Sequence, residues 1–367
     1  MVIRMNYINE FRNRDVVKGF AERIRRLTEG RSEPVTFMEV CGTHTMAICQ
    51  FGIRSLLPPR VRLISGPGCP VCVTPNGYLD RAVAYCRLPD VIIATFGDMM
   101  RVPGSSTSLM EERARGADIR IVYSPLDAVG LAAKNPGKRV IFLGVGFETT
   151  APTIAGSILA AAAQGLDNYF VLAAHKTMPR PMEVLAADPE LRIDGFICPA
   201  HVSAIIGADA YRFLADEYRI PCVVTGFEPA DIMQGVEMLT RQVLEGQSLV
   251  EIQYSRVVKW DGNKRAQEVL AQVFTPCDAD WRGIGTIPGS GLEIGAAYAS
   301  FDAARAIPVE VEELREHAGC LCGEILKGKV APGDCPLFGT ACTPEAPVGA
   351  CMVSSEGTCA AAYKYGR

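Results

Sequence analysis

The chain is predicted to be an α/β protein, with two similar domains on four-stranded parallel sheets and a smaller irregular α+β domain after them. Three observations carry this. Eight short apolar runs recur along residues 36–226, each near-continuous in the way of a strand buried on both faces. Amphipathic helical stretches separate most of them, and strand–helix alternation implies βαβ units and parallel sheets. Near residue 248 the alternation stops, and glycine, proline and cysteine take over.

The elements follow in order. Residues 14–28 place Val16, Phe20, Ile24 and Leu27 on one helical face with charges opposite, so the N-terminal segment 1–34 is read as helical and packed on another domain. Its arginine-rich outer face reads as a solvated one. The first four strands are TFMEV (36–40), VRLIS (61–65), VIIAT (91–95) and IRIVY (119–123). VIFLG (140–144), YFVLAA (169–174), DGFICP (194–199) and PCVVTG (221–226) make four more. Helices are expected over Gly77–Cys86, Thr150–Ala163 and Val202–Tyr218.

Eight strands could close a TIM barrel. Two features favour two domains instead. LAAKNPGK (131–138) breaks the chain between the fourth and fifth strands, and a Gly-Phe-Glu triplet at 146–148 returns at 226–228. The expected boundaries are 35–136 and 137–247, with a third domain over 248–367. That domain would comprise an extended crossing segment (SLVEIQYSRVVKWDG), a helix near Lys264–Val273, Gly-rich loops at 282–295 and a cysteine tail.

Composition narrows the function. A chain of 367 residues with 49% apolar and 21% charged residues is globular, and its net charge of −4 gives no electrostatic reason to expect nucleic acid. Without a secretory apolar core or an 18-residue apolar run, it reads as a soluble cytoplasmic protein that needs no membrane. Fourteen cysteines in a reducing compartment point to metal or redox chemistry rather than a disulfide framework.

The tail carries the strongest signal. Cys322, Cys335, Cys342 and Cys359 follow a C-x12-C-x6-C-x16-C pattern through a segment too rich in breakers to pack alone. Such a segment orders only when something staples it. Four thiolates suit a [4Fe-4S] cluster or zinc; zinc favours close C-x2-4-C pairs, and none of these gaps is that short. Ordinary buried thiols are the bland reading. Cys320 and Cys351 lie close enough in sequence to leave the choice of four open.

In open α/β sheets ligands gather at the carboxyl ends of strands. Three unusual segments fall there: Cys41-Gly-Thr-His-Thr45, Gly66-Pro-Gly-Cys-Pro-Val-Cys72 and Thr95-Phe-Gly-Asp-Met-Met-Arg101. Cys69 and Cys72 resemble a redox dithiol at a helix start, where the dipole and free amides favour a thiolate. With Cys41 and His44 they could equally form a Cys3His zinc site, and His44 could equally be a core residue bonded to a turn. His175, His201, Glu148 and Glu228 also follow strand ends, as site residues or as structural polar groups. No P-loop or complete dinucleotide fingerprint is present.

The set CGTHT (41–45), GPGCPVC (66–72), TFGDMMRVPGS (95–105), GFETTAPT (146–153) and SSEGTCAA (354–361) resembles the hydrogenase maturation protein HypD family, from the N-terminal helix to the C-terminus. The resemblance implies two α/β domains, a third domain with a [4Fe-4S] cluster, and a redox-active scaffold for the Fe(CN)2CO group of [NiFe]-hydrogenases rather than a conventional turnover enzyme. It implies a small HypC-type partner that brings iron and a HypE-type cyanide donor, with HypF upstream. It assigns Cys41 to a transferable iron that carries the CN and CO ligands, with His44 beside it, and Cys69 and Cys72 to a dithiol that also helps hold iron. Cys322, Cys335, Cys342 and Cys359 become the cluster ligands. Two other classes remain open: a self-contained iron-sulfur oxidoreductase or dehydratase, and a zinc-stabilised interaction protein.

Overall fold

A computed structural model describes residues 10–315 and 317–366, so the first nine residues of the N-terminal segment lie outside the described residues. The apolar runs form strands β1 (Val35–Glu39), β2 (Val61–Ser65), β3 (Val91–Thr95), β4 (Ile119–Ile121), β5 (Arg139–Gly146), β6 (Tyr169–Lys176), β7 (Gly195–Pro199) and β8 (Cys222–Thr225). Three more follow: β9 (Val250–Ile252), β10 (Phe274–Trp281) and β11 (Gly285–Ile294). The class is α/β, as its periodicity predicts.

The strands do not divide as predicted into two consecutive sets of four. One sheet has five parallel strands in the order β2-β1-β7-β8-β9. The other has six, β10-β11-β6-β5-β3-β4, with β11 antiparallel to both its neighbours. The chain therefore leaves the first sheet after β2, builds four strands of the second, returns for β7–β9, and leaves again for β10 and β11. LAAKNPGK misled because it only ends the helix Pro125–Lys134, with Asn135 as its C-cap. The strands flanking it, β4 and β5, lie in one sheet, each hydrogen-bonded to β3 between them. The Gly-rich stretch 282–295 is not a loop: most of it is β11, whose backbone pairs with β10 whatever its side chains.

Helices follow the sequence more closely. Those expected near Gly77–Cys86, Thr150–Ala163 and Lys264–Val273 form as Asn76–Cys86, Ala151–Ala163 and Lys264–Val273. The Val202–Tyr218 stretch splits at Gly207 into Ala200–Ile206, Ala208–Tyr211 and Arg212–Asp216. The N-terminal helix Arg14–Leu27 starts where the Asn13 side chain accepts the Asp15 and Val16 amides. Its buried stripe is Val17, Ala21 and Ile24, one residue round from the predicted face, and Val16 is exposed. The stripe packs with Ile232, Met233, Val236 and Leu239 of the helix Pro229–Leu244, and Arg23 pairs with Glu237 at 2.8 Å. No helix among the described residues is long and apolar enough to cross a membrane.

The topology sets up the site. Since β1 and β2 pair in parallel from Val35↔Val61 to Glu39↔Ser65, the segments after them emerge side by side. The second of these, which contains Cys69 and Cys72, is also the first crossing from one sheet to the other.

Burial of the N-terminal stripe makes a direct prediction. Ile24→Ala should cost about 2–5 kcal/mol, as a large-to-small change at a fully buried site, whereas exposed Val16→Ala should stay within about 0.5 kcal/mol. Thermal melts of the two variants check it; equal losses contradict the observed face.

Candidate redox and metal site

The strand-end segments meet backbone to backbone. Gly42 N–H donates to Gly68 O at 2.9 Å, and a Cβ on Gly68 would fall 2.3 Å from the Cys41 nitrogen, so only glycine allows this approach. Cys41 is the half-buried N-cap of the helix Gly42–Gln50. Burial pushes its thiol up to about 11; the His44 amide opposes this, and the Glu356 carboxylate adds to it. Glu356 is held in place by Thr43, whose hydroxyl donates to its Oε1 at 2.6 Å.

His44 turns away from this cysteine. Its buried ring faces the end of β8, with Nε2 3.0 Å from Gly226 O, 3.2 Å from Thr225 O and 2.9 Å from Thr225 Oγ1. Two carbonyl oxygens require Nε2 to carry the proton, and burial holds the ring neutral, down at about 4. Nε2 is thus bonded to the turn after β8, as in the core-histidine alternative from the sequence, and Nδ1 is buried without a partner. Phe227 lies between it and exposed His201, with ring centroids 4.6 and 4.3 Å away.

Cys69 and Cys72 are disulfide-bonded and buried, at the two ends of the first turn of the helix Pro70–Val73. The Cys72 sulfur lies 3.8 Å from Ala350 O, immediately before Cys351. The dithiol loop therefore touches the cysteine tail directly.

All four predicted ligands in that tail converge. Cys322 starts the helix Cys322–Leu326, Cys335 follows the turn Pro332–Asp334, Cys342 bridges to Phe338, and Cys359 lies in the helix Thr358–Tyr365. All are buried and line one pocket walled by Ile325, Leu337, Phe338 and Met352. Cys320 and Cys351 line it too, so geometry offers six thiols where the sequence singles out four. Thiol hydrogen bonds from Cys320 and then Cys351 hold Cys322 well below the ordinary thiol value, helped by the Arg282 charge. Among the described residues no three His, Cys, Asp or Glu side chains converge on a single metal-sized point. Thiols lining an apolar pocket are the donor type that an iron-sulfur cluster takes.

The tail is fastened from outside. The helix bearing Cys359 packs on the helix that Cys41 caps. Ser354 donates to Asp98 at 2.8 Å, and Arg101 donates to Pro344 O at 3.0 Å and Val353 O at 3.3 Å, so the TFGDMMR segment clamps the tail.

The remaining candidates have structural partners or none. Glu228 pairs with Arg12 at the surface. His175 is buried, unpaired at both ring nitrogens and held neutral by burial, at about 3. Glu148 accepts the Met178 amide at 2.9 Å, has Oε2 buried without a partner, and is pushed up to about 7 by burial. Sequence reasoning missed Glu356 as a neighbour of Cys41. It lies within SSEGTCAA, but the Thr43–Glu356 contact spans 313 residues, and no spacing pattern announces it.

A family model named HypD, described as the hydrogenase formation hypA family, matches residues 15–366. Hydrogenase maturation factor HypD2 of Bradyrhizobium diazoefficiens is 48% identical over 99% of this chain and 97% of its own. The HypD factors of Rhodobacter capsulatus and Escherichia coli K12 are each 46% identical, over 99% and 98% of this chain and 98% of their own.

Glu148 makes the site's pH dependence testable. Its folded value, about 7, lies above the unfolded carboxylate value, so its contribution is fully present at low pH and is lost as pH rises through about 7. Relative to wild type, Glu148→Gln should therefore melt higher at pH 8 than at pH 5. A melting difference that does not change with pH contradicts this.

Proposed function

This chain belongs to the HypD hydrogenase-formation family, and we propose that it is a [NiFe]-hydrogenase maturation factor: a redox-active scaffold on which the Fe(CN)2CO group is assembled. The observation that carries this is the convergence of three segments far apart in sequence. Cys41 lies against the loop bearing Cys69 and Cys72, and Cys72 touches the tail whose buried cysteines line one pocket.

Each part has a chemical task. Cys322, Cys335, Cys342 and Cys359 would hold a [4Fe-4S] cluster, which would supply electrons one at a time. The dithiol of Cys69 and Cys72 delivers two together. Release of cyanide from a thiocyanate carrier breaks the S–CN bond, consumes two electrons and returns the carrier thiol. Oxidation of the dithiol to the disulfide provides those electrons and two protons. Cys41 offers a soft thiolate to the iron that receives cyanide and CO, and such low-spin, electron-rich iron suits sulfur donors. Its thiol is high in the free protein, so binding of iron must displace the proton. Cys69 and Cys72 can add donors when reduced. A small HypC-type partner brings the iron, a HypE-type protein served by HypF carries the cyanide, and the work takes place in the reducing cytoplasm, where unpaired thiols persist.

Two sets of variants test this reading. Cys359→Ala should lose most of the chain's iron and acid-labile sulfide and lower its melting temperature, because the tail loses its staple. Cys320→Ala should retain both; the reverse pattern contradicts the ligand set. Cys41→Ala, isolated with the small partner, should keep iron, sulfide and melting temperature but lack the cyanide and CO infrared bands. Bands retained alongside a large drop in melting temperature would mean that Cys41 is structural.

A further inference from the structure

Arg282 is buried, and nothing in the assembly chemistry above uses it. Its backbone N–H donates to Val73 O and its Nε to Thr74 O, both at 2.9 Å, which ties it to the end of the short helix containing Cys72. Its Nη2 is buried without a hydrogen-bond partner, and among the described residues no carboxylate forms an ion pair with it. A buried guanidinium without a counter-anion is strongly disfavoured, so some negative charge must lie near it.

The surroundings identify that charge. Arg282 lines a cleft with Cys320, Cys322 and Asn76. A Cβ on Gly283, the next residue, would fall 2.1 Å from Gly323 Cα, so the backbones after Arg282 and after Cys322 are in direct contact. Among the described residues that line the cleft, the one acidic side chain is Glu324, which has its own cation in Lys327 at 2.5 Å. Among the described residues lining the cleft, the sulfurs of Cys320 and Cys322 are the remaining groups that can carry negative charge, above all when they face a bound cluster.

We propose that Arg282 is the fixed countercharge of the cysteine pocket, a positioning residue that sets the reduction potential of the cluster held there. The proposal rests on the reading that the pocket holds a [4Fe-4S] cluster. A cluster with four thiolate ligands carries net negative charge, and one-electron reduction adds one more. A cation fixed beside it in a water-poor site favours the reduced form and raises the potential. Because the same side chain is bonded to the backbone just beyond Cys72, it also keeps the electron source next to the disulfide that receives the electrons.

The test is an EPR-monitored redox titration of the full, anaerobically reconstituted chain, with iron and sulfide analysis and a thermal melt. Arg282→Gln keeps hydrogen-bonding capacity without charge and should lower the midpoint by at least 59 mV, a tenfold change for a one-electron couple. Arg282→Lys keeps the charge and should stay within that margin of wild type. Asn76→Asp leaves Arg282 in place but adds a carboxylate to the same cleft, and should also shift the midpoint negatively. Unchanged midpoints in Arg282→Gln and Asn76→Asp, with equal melting losses for Arg282→Gln and Arg282→Lys, would reduce Arg282 to a structural residue and overturn the proposal. If Arg282→Gln holds no iron, Asn76→Asp decides alone. A wild-type chain without iron and sulfide overturns the cluster reading itself, and this inference with it.

Discussion

The whole site depends on the docking of a tail that cannot fold alone. Residues 322–366 contain short helices and turns but no strand, and four of their apolar side chains, Ile325, Leu337, Phe338 and Met352, wall a pocket of thiols. What holds them is contact with the rest of the chain: Ser354 on Asp98, Arg101 on Pro344 and Val353, Glu356 under Thr43, and the Cys359 helix against the Cys41 helix. Each fastening lands on a segment that follows a strand end, so the two sheets act as a frame for the tail. A cluster in the pocket would add the covalent staple that a small irregular unit requires.

The interleaved topology explains how the parts reach one another. A chain folded as two consecutive α/β units would join them by a simple linker. Here it crosses between sheets three times, and the first crossing carries the dithiol. The disulfide consequently sits on a segment braced by β2 at one end and by the helix Asn76–Cys86 at the other. That bracing suits a redox pair that must stay in place through changes of oxidation state.

Much of this was legible in the sequence, for physical reasons that also mark where legibility ends. Strands such as Val91–Thr95 and the helix Lys264–Val273 show in local periodicity, because burial of one face or two imposes a pattern on neighbouring residues. Which strand pairs with which leaves no such pattern. β1 lies beside β7, more than 150 residues on, and the echo of Gly-Phe-Glu suggested a division that the pairing does not follow. The Cys69–Cys72 pair and the tail cysteines were readable as candidates because thiol spacing is itself a signal. Glu356 and Arg282 were not, since each acts through a partner that only the fold brings near. His44 lies between these cases: its place beside Cys41 in sequence suggested partnership, but a helix turn points its ring to the opposite wall.

The account's central claim is that the cysteine pocket and the dithiol form one electron path. The most direct test photoreduces the reconstituted chain with a one-electron donor too bulky to reach the buried disulfide. Acid quenching and alkylation then count free thiols at Cys69 and Cys72 by peptide mass. The account predicts that two electrons and two protons convert the disulfide to two labelled thiols in the wild type, and that a cluster-free chain leaves it intact. A disulfide that survives while the cluster is reduced and reoxidised, or one reduced equally well without the cluster, would contradict it.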